Sequence, residues 1–296
     1  MEIGEKIKSL RLAKRMTQTE LAGDQITRNM LSLIENGSAL PLLPTVIYLS
    51  ERLDIPAGML LARSDEELMY QKLAQLPKIK QAYEKGEYRL CYDMCRSLKN
   101  EQLDDELYLI LSKCAFSLAK ESFDAGKLHK CASYLDKACE FARKTIYKDD
   151  MILSSAYIYF DYMSRLSPTL TSENGSDVYS GEYLGANAFC RYALAIKALE
   201  SGEQLKGIWY WLSSLEKGFA EHIRARLEMK DGNYSDARER LKILINSGNV
   251  ECRTILYDIF KDLEECCRET DDYRGAYEYS VGKVEFLERM LREDSL

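Results

Sequence analysis

Apolar residues recur at every third or fourth position along most of the chain, a spacing typical of amphipathic helices rather than strands. Within residues 1–63 this pattern predicts five short helices. The first of them runs near residues 3–15. Its apolar side consists of Ile3, Ile7, Leu10 and Leu12, with Met16 just beyond.

Capping residues place the next two helices. Thr17 and Glu20 form a Thr-x-x-Glu capping box, in which the hydroxyl and the carboxylate satisfy free amides at a helix start. A short second helix follows this box. Thr27 is the predicted N-cap of a third helix near residues 28–35, because a threonine hydroxyl can accept a hydrogen bond from the first turn.

Glycine and proline mark the remaining boundaries of this segment. The third helix is predicted to end at Asn36-Gly37, because glycine readily takes the left-handed conformation that closes a helix. Pro44 and Pro56 open a fourth and a fifth helix, since proline is favoured in a first helical turn. The fourth carries Val46, Ile47, Leu49 and Leu53, and the fifth ends at Leu60 and Leu61.

Several short motifs occur here in one order and spacing. They are Thr17-Gln18, Glu20-Leu21-Ala22, Ile34-Glu35-Asn36-Gly37 and a late Leu-x-Ile-Pro segment. Together they resemble the XRE family of phage-repressor-type helix-turn-helix domains over residues 3–62. The turn between the second and third helices, GDQIT, is one residue shorter than the family pattern. The resemblance implies a five-helix, lambda-repressor-like domain that binds double-stranded DNA.

The same resemblance implies that the third helix enters the major groove and presents its first residues to the base edges. Those residues are Thr27, Arg28 and Asn29, with Ser32 and Leu33 one turn further on. Arginine suits a bidentate contact to guanine and asparagine suits one to adenine, whereas Leu33 offers only apolar contact, for example to a thymine methyl.

Other positions match supporting roles in that family. Gln18, and Asn36 with its neighbouring amides, match groups that hold DNA phosphates, and such contacts set register rather than sequence. Arg11 and Glu35 match an internal ion pair between the first and third helices, a structural role. The alternative is that the domain is a protein-interaction module, on which the polar residues of the third helix are merely solvated.

Behind residue 63 the helical spacing continues as pairs of helices with a repeated mark at the turn. The marks are Gly86-x-Tyr88-x-x-Cys91, Gly126-x-Leu128-x-x-Cys131, Gly232-x-Tyr234-x-x-Ala237 and Asp271-x-Tyr273-x-x-Ala276. Each reads as a tight turn, a packing aromatic or leucine, and a small residue where the helices touch. This resembles degenerate tetratricopeptide-type repeats. The predicted fold is therefore all-α, with a helix-turn-helix domain at 1–63 and a right-handed α-solenoid at 64–296 for sensing and dimerisation.

An XRE-type head joined to such repeats resembles the peptide-responsive quorum-sensing regulators of Gram-positive bacteria (the Rgg, PlcR and PrgX type). That resemblance implies a homodimer whose concave repeat face binds a short signalling peptide. Asn187 and Arg191, one turn apart on the predicted helix 183–200, are suited to hold a peptide backbone and its terminal carboxylate. A solvated helix flank is the alternative. Residues 165–182 predict a long loop, either a lid over the groove or a surface insertion.

Charge is distributed unevenly along the chain. Residues 1–63 carry eight Lys/Arg and seven Asp/Glu, whereas residues 64–296 carry 33 Lys/Arg and 41 Asp/Glu. The net charge of −7 therefore arises from the residues after position 63. Phosphate attraction is a local field effect, so a near-neutral head is compatible with DNA binding, and dimerisation on a two-part site would compensate for its weak attraction. No run of about 18 apolar residues is present, and the start MEIGEKIK lacks an apolar signal core. We therefore expect a cytoplasmic protein without a membrane partner.

The remaining chemistry is sparse. Nine cysteines lie within helical patterns and read as reduced thiols that pack as small hydrophobes. Cys91 and Cys95, with His129 and Cys131 one repeat later, fit core packing better than a zinc site, while a redox sensor stays open. No nucleophile–base set, phosphate loop or metal motif is present, so we expect no enzyme activity, cofactor or metal.

Two hypotheses remain. The first is a sequence-specific DNA-binding transcription regulator whose repeat domain binds a peptide or other effector and thereby controls the DNA-binding dimer. The second is a repeat-based scaffold for a partner protein, with the head as a weak or accessory DNA-binding module.

Overall fold

The computed structural model describes residues 2–63, 66–171, 187–201, 215–248, 250 and 252–292, and every regular element in these ranges is helical. The chain forms two compact units, Met1–Asp104 and Asp105–Leu296. The predicted all-α fold is confirmed. None of the described helices is long and apolar enough to cross a membrane.

Seven helices form the described part of the first unit. They are α1 (Ile3–Ala13), α2 (Gln18–Ala22), α3 (Arg28–Glu35), α4 (Leu43–Arg52), α5 (Ala57–Leu61), α6 (Glu67–Glu84) and α7 (Tyr88–Arg96), with a 3₁₀ turn at Asn100–Gln102. The unit thus includes the five predicted short helices and one helix pair behind them. The domain boundary after residue 63 stays a prediction.

The first five helices enclose one apolar core. It is built from Ile7, Leu21, Ala22, Leu31, Ile34, Val46, Leu49, Leu53 and Leu60. Two predicted apolar positions are wrong, because Leu12 is 57% exposed and Ile47 is 43% exposed. Each lies about 100–140° around its helix from a buried neighbour, Ile7 or Val46, and so faces outward. The first helix also ends two residues earlier than predicted, and Arg15 beyond it has a positive φ of 55°.

The second unit continues as helix pairs. Its described helices are α8 (Asp105–Asp124), α9 (Leu128–Lys144), α10 (Asp150–Leu166), α11 (Ala188–Ser201), α12 (Lys217–Lys230), α13 (Tyr234–Asn246), α14 (Leu256–Glu269) and α15 (Tyr273–Arg292), with a 3₁₀ turn at Arg253–Ile255 before α14. Of the predicted loop 165–182, only 165–171 is described, as the end of α10 and a turn. Its remainder, and the predicted helix start at 183–186, lie outside the described residues.

The four repeat marks are helix-to-helix turns that share one backbone conformation. Their first residues have positive φ: Gly86 73°, Gly126 77°, Gly232 80° and Asp271 58°. Glycine takes this left-handed conformation without steric cost, and aspartate is among the few other residues that tolerate it. The small residue five positions later is buried in each case: Cys91, Cys131, Ala237 and Ala276. Tyr273 departs from the pattern, because it is 67% exposed rather than packed.

The second unit is not held by neighbouring pairs alone. Thr254, in the turn before α14, donates its hydroxyl hydrogen bond to the Phe123 carbonyl at the end of α8. Tyr162 on α10 donates to Asp258 on α14, with 2.7 Å between the oxygens. A single apolar core extends from Ala119 to Met290. The last pair of helices therefore packs against the first pair of this unit.

All nine cysteines are buried as free thiols. Burial raises the pKa of Cys139 and of Cys190 to about 11, so both are protonated thiols at neutral pH. Across the described residues, no cluster of three or more His, Cys, Asp or Glu side chains is placed to hold a metal ion.

Candidate functional site

Helix α3 carries the predicted reading residues, and its first turn is built by a local cap. Thr27 has extended backbone angles, and its hydroxyl accepts a hydrogen bond from the Met30 amide at 3.1 Å. Leu31 and Ile34 are buried in the core of the first unit. Because these two residues fix the inner side of the helix, the leading turn points away from the core.

The side chains predicted to contact DNA lie mostly on the outer side of α3. Thr27, Arg28, Asn29 and Asn36 are exposed, Leu33 is 48% exposed, and Ser32 is half-buried. Asn29, Leu33 and Asn36 follow the i, i+4, i+7 spacing of one helical face, and Ser32 lies at its edge. Sequence reasoning missed Met30, which is 47% exposed on the same outer side.

A bidentate ion pair ties α1 to the end of α3. Arg11 donates from Nε to Glu35 Oε1 at 2.6 Å and from Nη2 to Glu35 Oε2 at 3.0 Å. The side chains are only 9% and 1% exposed. Arg11 also donates from Nη1 to the Met16 carbonyl at 2.8 Å, so this one guanidinium links α1, the turn before α2, and α3.

Gln18 belongs to the same network. Its Nε2 donates to Glu35 Oε2 at 2.9 Å, which orients the side chain at the first turn of α2. Burial by itself raises the pKa of Glu35, but the hydrogen bonds from Arg11 and Gln18 and the charge of Arg11 outweigh it, so the pKa is lowered. Glu35 is therefore a carboxylate that accepts from both partners. The phosphate contact assigned to Gln18 remains a prediction.

The two ends of α2 are held differently. At its start the predicted capping box is present, with Thr17 Oγ1 accepting from the Glu20 amide at 3.1 Å and Glu20 Oε2 accepting from the Thr17 amide at 2.6 Å. At its end, two side chains of α4 bind the carbonyls. Tyr48 donates to the Ala22 carbonyl at 3.0 Å, and Arg52 donates to the Glu20 carbonyl.

Gly23 makes the shortened turn after α2 possible. Its φ is +51°, and a Cβ at this position would clash with the Tyr48 hydroxyl. The turn therefore depends on a glycine and on two side chains from α4, about 25–30 residues away. Only the glycine could have been identified from sequence, since nothing local marks Tyr48 or Arg52 as capping residues.

In the second unit, the effector candidates Asn187 and Arg191 are both half-buried. Asn187 caps α11, because its Oδ1 accepts from the Cys190 amide at 2.9 Å, while its Nδ2 donates to the Tyr159 hydroxyl at 3.3 Å. Both ends of this amide thus contact the protein itself. The structure gives Asn187 a helix-capping role, and the effector role of the pair is untested.

Sequence reasoning missed a buried polar network across α11, α12 and α14. His222 is fully buried, with Nδ1 2.8 Å from the Tyr192 hydroxyl and Nε2 2.7 Å from Asp262 Oδ2. Arg226 donates from Nε to the same Asp262 oxygen at 2.6 Å. A signal was present in the sequence: His222 and Arg226 occupy helical-spacing positions between Phe219 and Met229, where apolar residues are expected.

No family model matches the chain, and no curated protein matches it. Two solved structures are similar over nearly its whole length. The crystal structure of Bacillus thuringiensis PlcR in complex with the peptide PapR7 and DNA is 19% identical, covers 98% of this chain and 99% of that chain, and has a TM-score of 0.25. The apo form of the competence regulator ComR from Streptococcus vestibularis is 16% identical, covers 99% and 98%, and has a TM-score of 0.22. TM-scores this low support no inference about the present chain.

Proposed function

We propose that this chain is a sequence-specific regulator that reads double-stranded DNA with the first turn of α3. The observation that carries the proposal is the outward leading turn of that helix. Arg28 and Asn29 are exposed immediately after a helix cap, while Leu31 and Ile34 anchor the opposite side in the core. A helix presented in this way can enter a major groove without rearrangement.

The chemistry of the exposed residues supports base readout. The guanidinium of Arg28 and the amide of Asn29 are the groups that recognise guanine and adenine edges in bidentate fashion. Leu33, on the same face as Asn29, is an apolar group of the kind that contacts a thymine methyl. Gln18 and Asn36 would bind phosphates on either side of the reading turn and fix its register.

The second unit is the proposed regulatory part. We assign DNA binding to residues 1–63 and effector or partner binding, together with homodimerisation, to residues 64–296. Stacked helix pairs form extended surfaces that suit peptides and other elongated ligands. In a homodimer, two copies of α3 would address half-sites about one helical turn, or roughly 34 Å, apart.

The direct test is selection of duplexes from a random-sequence library by the full-length protein, followed by fluorescence anisotropy on the enriched sequence at 150 mM salt. We expect an enriched motif of two related half-sites. The double variant Arg28→Ala/Asn29→Ala should weaken binding to it at least tenfold, since each bidentate base contact contributes about 1–3 kcal/mol of discrimination.

The matched control is Arg96→Ala/Asn100→Ala, which removes the same two residue types from exposed positions elsewhere in the first unit. It should bind like the wild type. If both double variants bind equally well, α3 does not read the bases. If no motif is enriched at all, the scaffold hypothesis replaces the regulator.

A further inference from the structure

A cavity of about 400 Å³ lies between α11, α12, the start of α13 and α14 in the second unit. It is lined by Leu199, Glu200, Arg226, Met229, Lys230, Tyr234, Lys261, Asp262 and Glu265. Three of these side chains are largely apolar and six are charged. The lining therefore combines apolar and charged side chains, a composition that suits a small amphipathic ligand.

Arg226 is the most buried of the three cations that line this cavity. Its side chain is only 11% exposed. Nε donates to Asp262 at 2.6 Å and Nη1 donates to Glu200 at 2.9 Å, whereas Nη2 donates to no side chain or carbonyl among the described residues. On the edge formed by Nη1 and Nη2, Glu200 is thus the one partner within the described part of the chain, and a planar acceptor such as a carboxylate can bind this edge by displacing Glu200.

The guanidinium is held rigidly from behind. Asp262 is 3% exposed and accepts from both Arg226 and His222, and His222 in turn contacts the buried Tyr192 hydroxyl. Burial raises the pKa of Asp262, but the hydrogen bond from His222 and the charge of Arg226 outweigh that effect, so the pKa is lowered overall. Asp262 is therefore a carboxylate. Buried polar groups of this kind cost desolvation energy, and they position a charged group more firmly than a surface ion pair does.

Glu200 is the solvent-exposed partner of Arg226. Its side chain is 45% exposed, in contrast to that of Asp262, and it also contacts Arg165 at 3.5 Å. A ligand carboxylate could take its place on Nη1 while the buried contact to Asp262 stays intact. Glu200 then competes with the ligand for the same guanidinium edge.

The charges of the lining select the kind of anion. Arg226, Lys230 and Lys261 balance Glu200, Asp262 and Glu265, so the lining is neutral overall. A neutral lining lacks the excess positive charge that would stabilise a phosphate dianion, so such a site favours a monoanion. Leu199, Met229 and Tyr234 provide contact for an apolar group beside the carboxylate.

We propose that this cavity binds the apolar, monocarboxylate end of the effector, with Arg226 holding the carboxylate and Glu200 acting as its competitor. The proposal rests on the proposed regulator function, which it deepens by naming the chemistry of the ligand. That chemistry occurs at the C-terminal residue of a peptide and in a short acyl acid.

The test uses two probes that represent these sources, N-acetyl-L-leucine and octanoate, each against its carboxamide. Binding to the full-length protein is measured by calorimetry and by the NMR shift of the Arg226 Nε–H. We expect millimolar binding of at least one acid, tenfold weaker binding of its carboxamide, and a shift of the Arg226 resonance. The tighter acid identifies the source.

Glu200→Gln is the decisive variant, because it removes the negative charge of the competitor at a half-exposed position and leaves the contacts among Arg226, Asp262 and His222 in place. It should tighten acid binding at least threefold and leave carboxamide binding unchanged, whereas Arg226→Lys should weaken acid binding at least tenfold. Glu269→Gln, an exposed glutamate of α14 outside the cavity, is the matched control and should change neither.

Equal binding of acid and carboxamide, an unmoved Arg226 resonance, or an unaltered affinity in Glu200→Gln would each overturn the proposal. None of these readouts involves DNA, so they are independent of whether α3 binds a duplex. Failure here leaves the DNA-binding result standing, and the reverse also holds.

Discussion

At the scale of single residues, Glu35 joins three helices of the first unit. It is almost fully buried and accepts hydrogen bonds from Arg11 and Gln18, which lie on two other helices. A buried carboxylate can be accommodated only if its partners compensate the lost hydration. Glu35 therefore holds α3 in place without itself facing the solvent side of that helix.

We predict that Glu35→Ala lowers the free energy of unfolding of the first unit by about 3–5 kcal/mol, because it leaves the Arg11 guanidinium buried without its counter-charge. The measurement is hydrogen exchange of the core amides in the full-length protein. Glu51→Ala, which removes an exposed glutamate of α4, is the control and should cost less than about 0.5 kcal/mol. Equal losses in the two variants would refute the role assigned to the pair.

The same residue gives a pH dependence of defined sign. The pKa of Glu35 in the folded state lies below its ordinary value of 4.5, so the stability it contributes is complete above that pH. That contribution is lost as the pH falls through the lower, folded-state pKa. The stability difference between wild type and Glu35→Ala should therefore shrink below about pH 4.5 and stay constant above it.

At the scale of helices, the starts of α2 and α3 are set locally, but the end of α2 is not. The capping box at its start and the cap of α3 each involve residues three positions apart. The carbonyls at the end of α2 instead bind Tyr48 and Arg52, which belong to α4. The short turn after α2 is thus stabilised by tertiary contacts as well as by Gly23.

We predict strong coupling between Gly23 and Tyr48. Gly23→Ala should destabilise the first unit, because a positive φ costs a non-glycine residue about 1–2 kcal/mol and the new methyl meets the Tyr48 hydroxyl. Tyr48→Phe removes one hydrogen bond and should cost about 1 kcal/mol. In the double variant the clash is relieved, so its loss of stability should be smaller than the sum of the single losses.

Gly86→Ala is the matched control for this cycle, because Gly86 also has a positive φ, 73°, but a Cβ there would meet nothing within 4 Å. Combined with Tyr48→Phe, it should show additive losses. Additivity in the Gly23 cycle as well, measured by the same amide exchange, would mean that the turn does not depend on the contact with α4.

At the scale of the whole molecule, the second unit combines repeated helix pairs with contacts between pairs distant in sequence. The hydrogen bond from Thr254 to the Phe123 carbonyl joins residues 131 positions apart. The lining of the cavity is assembled similarly, from α11, α12, α13 and α14. We therefore expect this unit to unfold with more cooperativity than an array in which each pair contacts only its neighbours.

We predict that Thr254→Val, which keeps the side-chain shape but removes the hydroxyl, lowers amide protection in both α8 and α14 by about 1 kcal/mol. Ser164→Ala is the control, because the Ser164 hydroxyl only donates to the Asp161 carbonyl within its own helix. It should affect α10 alone. Loss of protection confined to α14 in Thr254→Val would show that the two ends of the unit are not coupled.

Much of the architecture was determined by the sequence alone. Thr17, Glu20 and Thr27 mark helix starts, and glycine or aspartate at 86, 126, 232 and 271 marks the repeat turns, because caps and turns depend on residues within one helical turn of each other. The apolar spacing fixed which side of α3 is buried and hence that Arg28 and Asn29 face outward. Their contacts with DNA stay a prediction.

The tertiary structure decided which elements meet. Helical spacing tells which face of a helix is apolar, but it does not tell which other helix covers that face. For this reason neither the cap of α2 by Tyr48 and Arg52 nor the assembly of His222, Asp262 and Arg226 around a cavity could be derived from the sequence. Those contacts join groups from 26 to 40 residues apart, and only the packing of the whole unit brings them together.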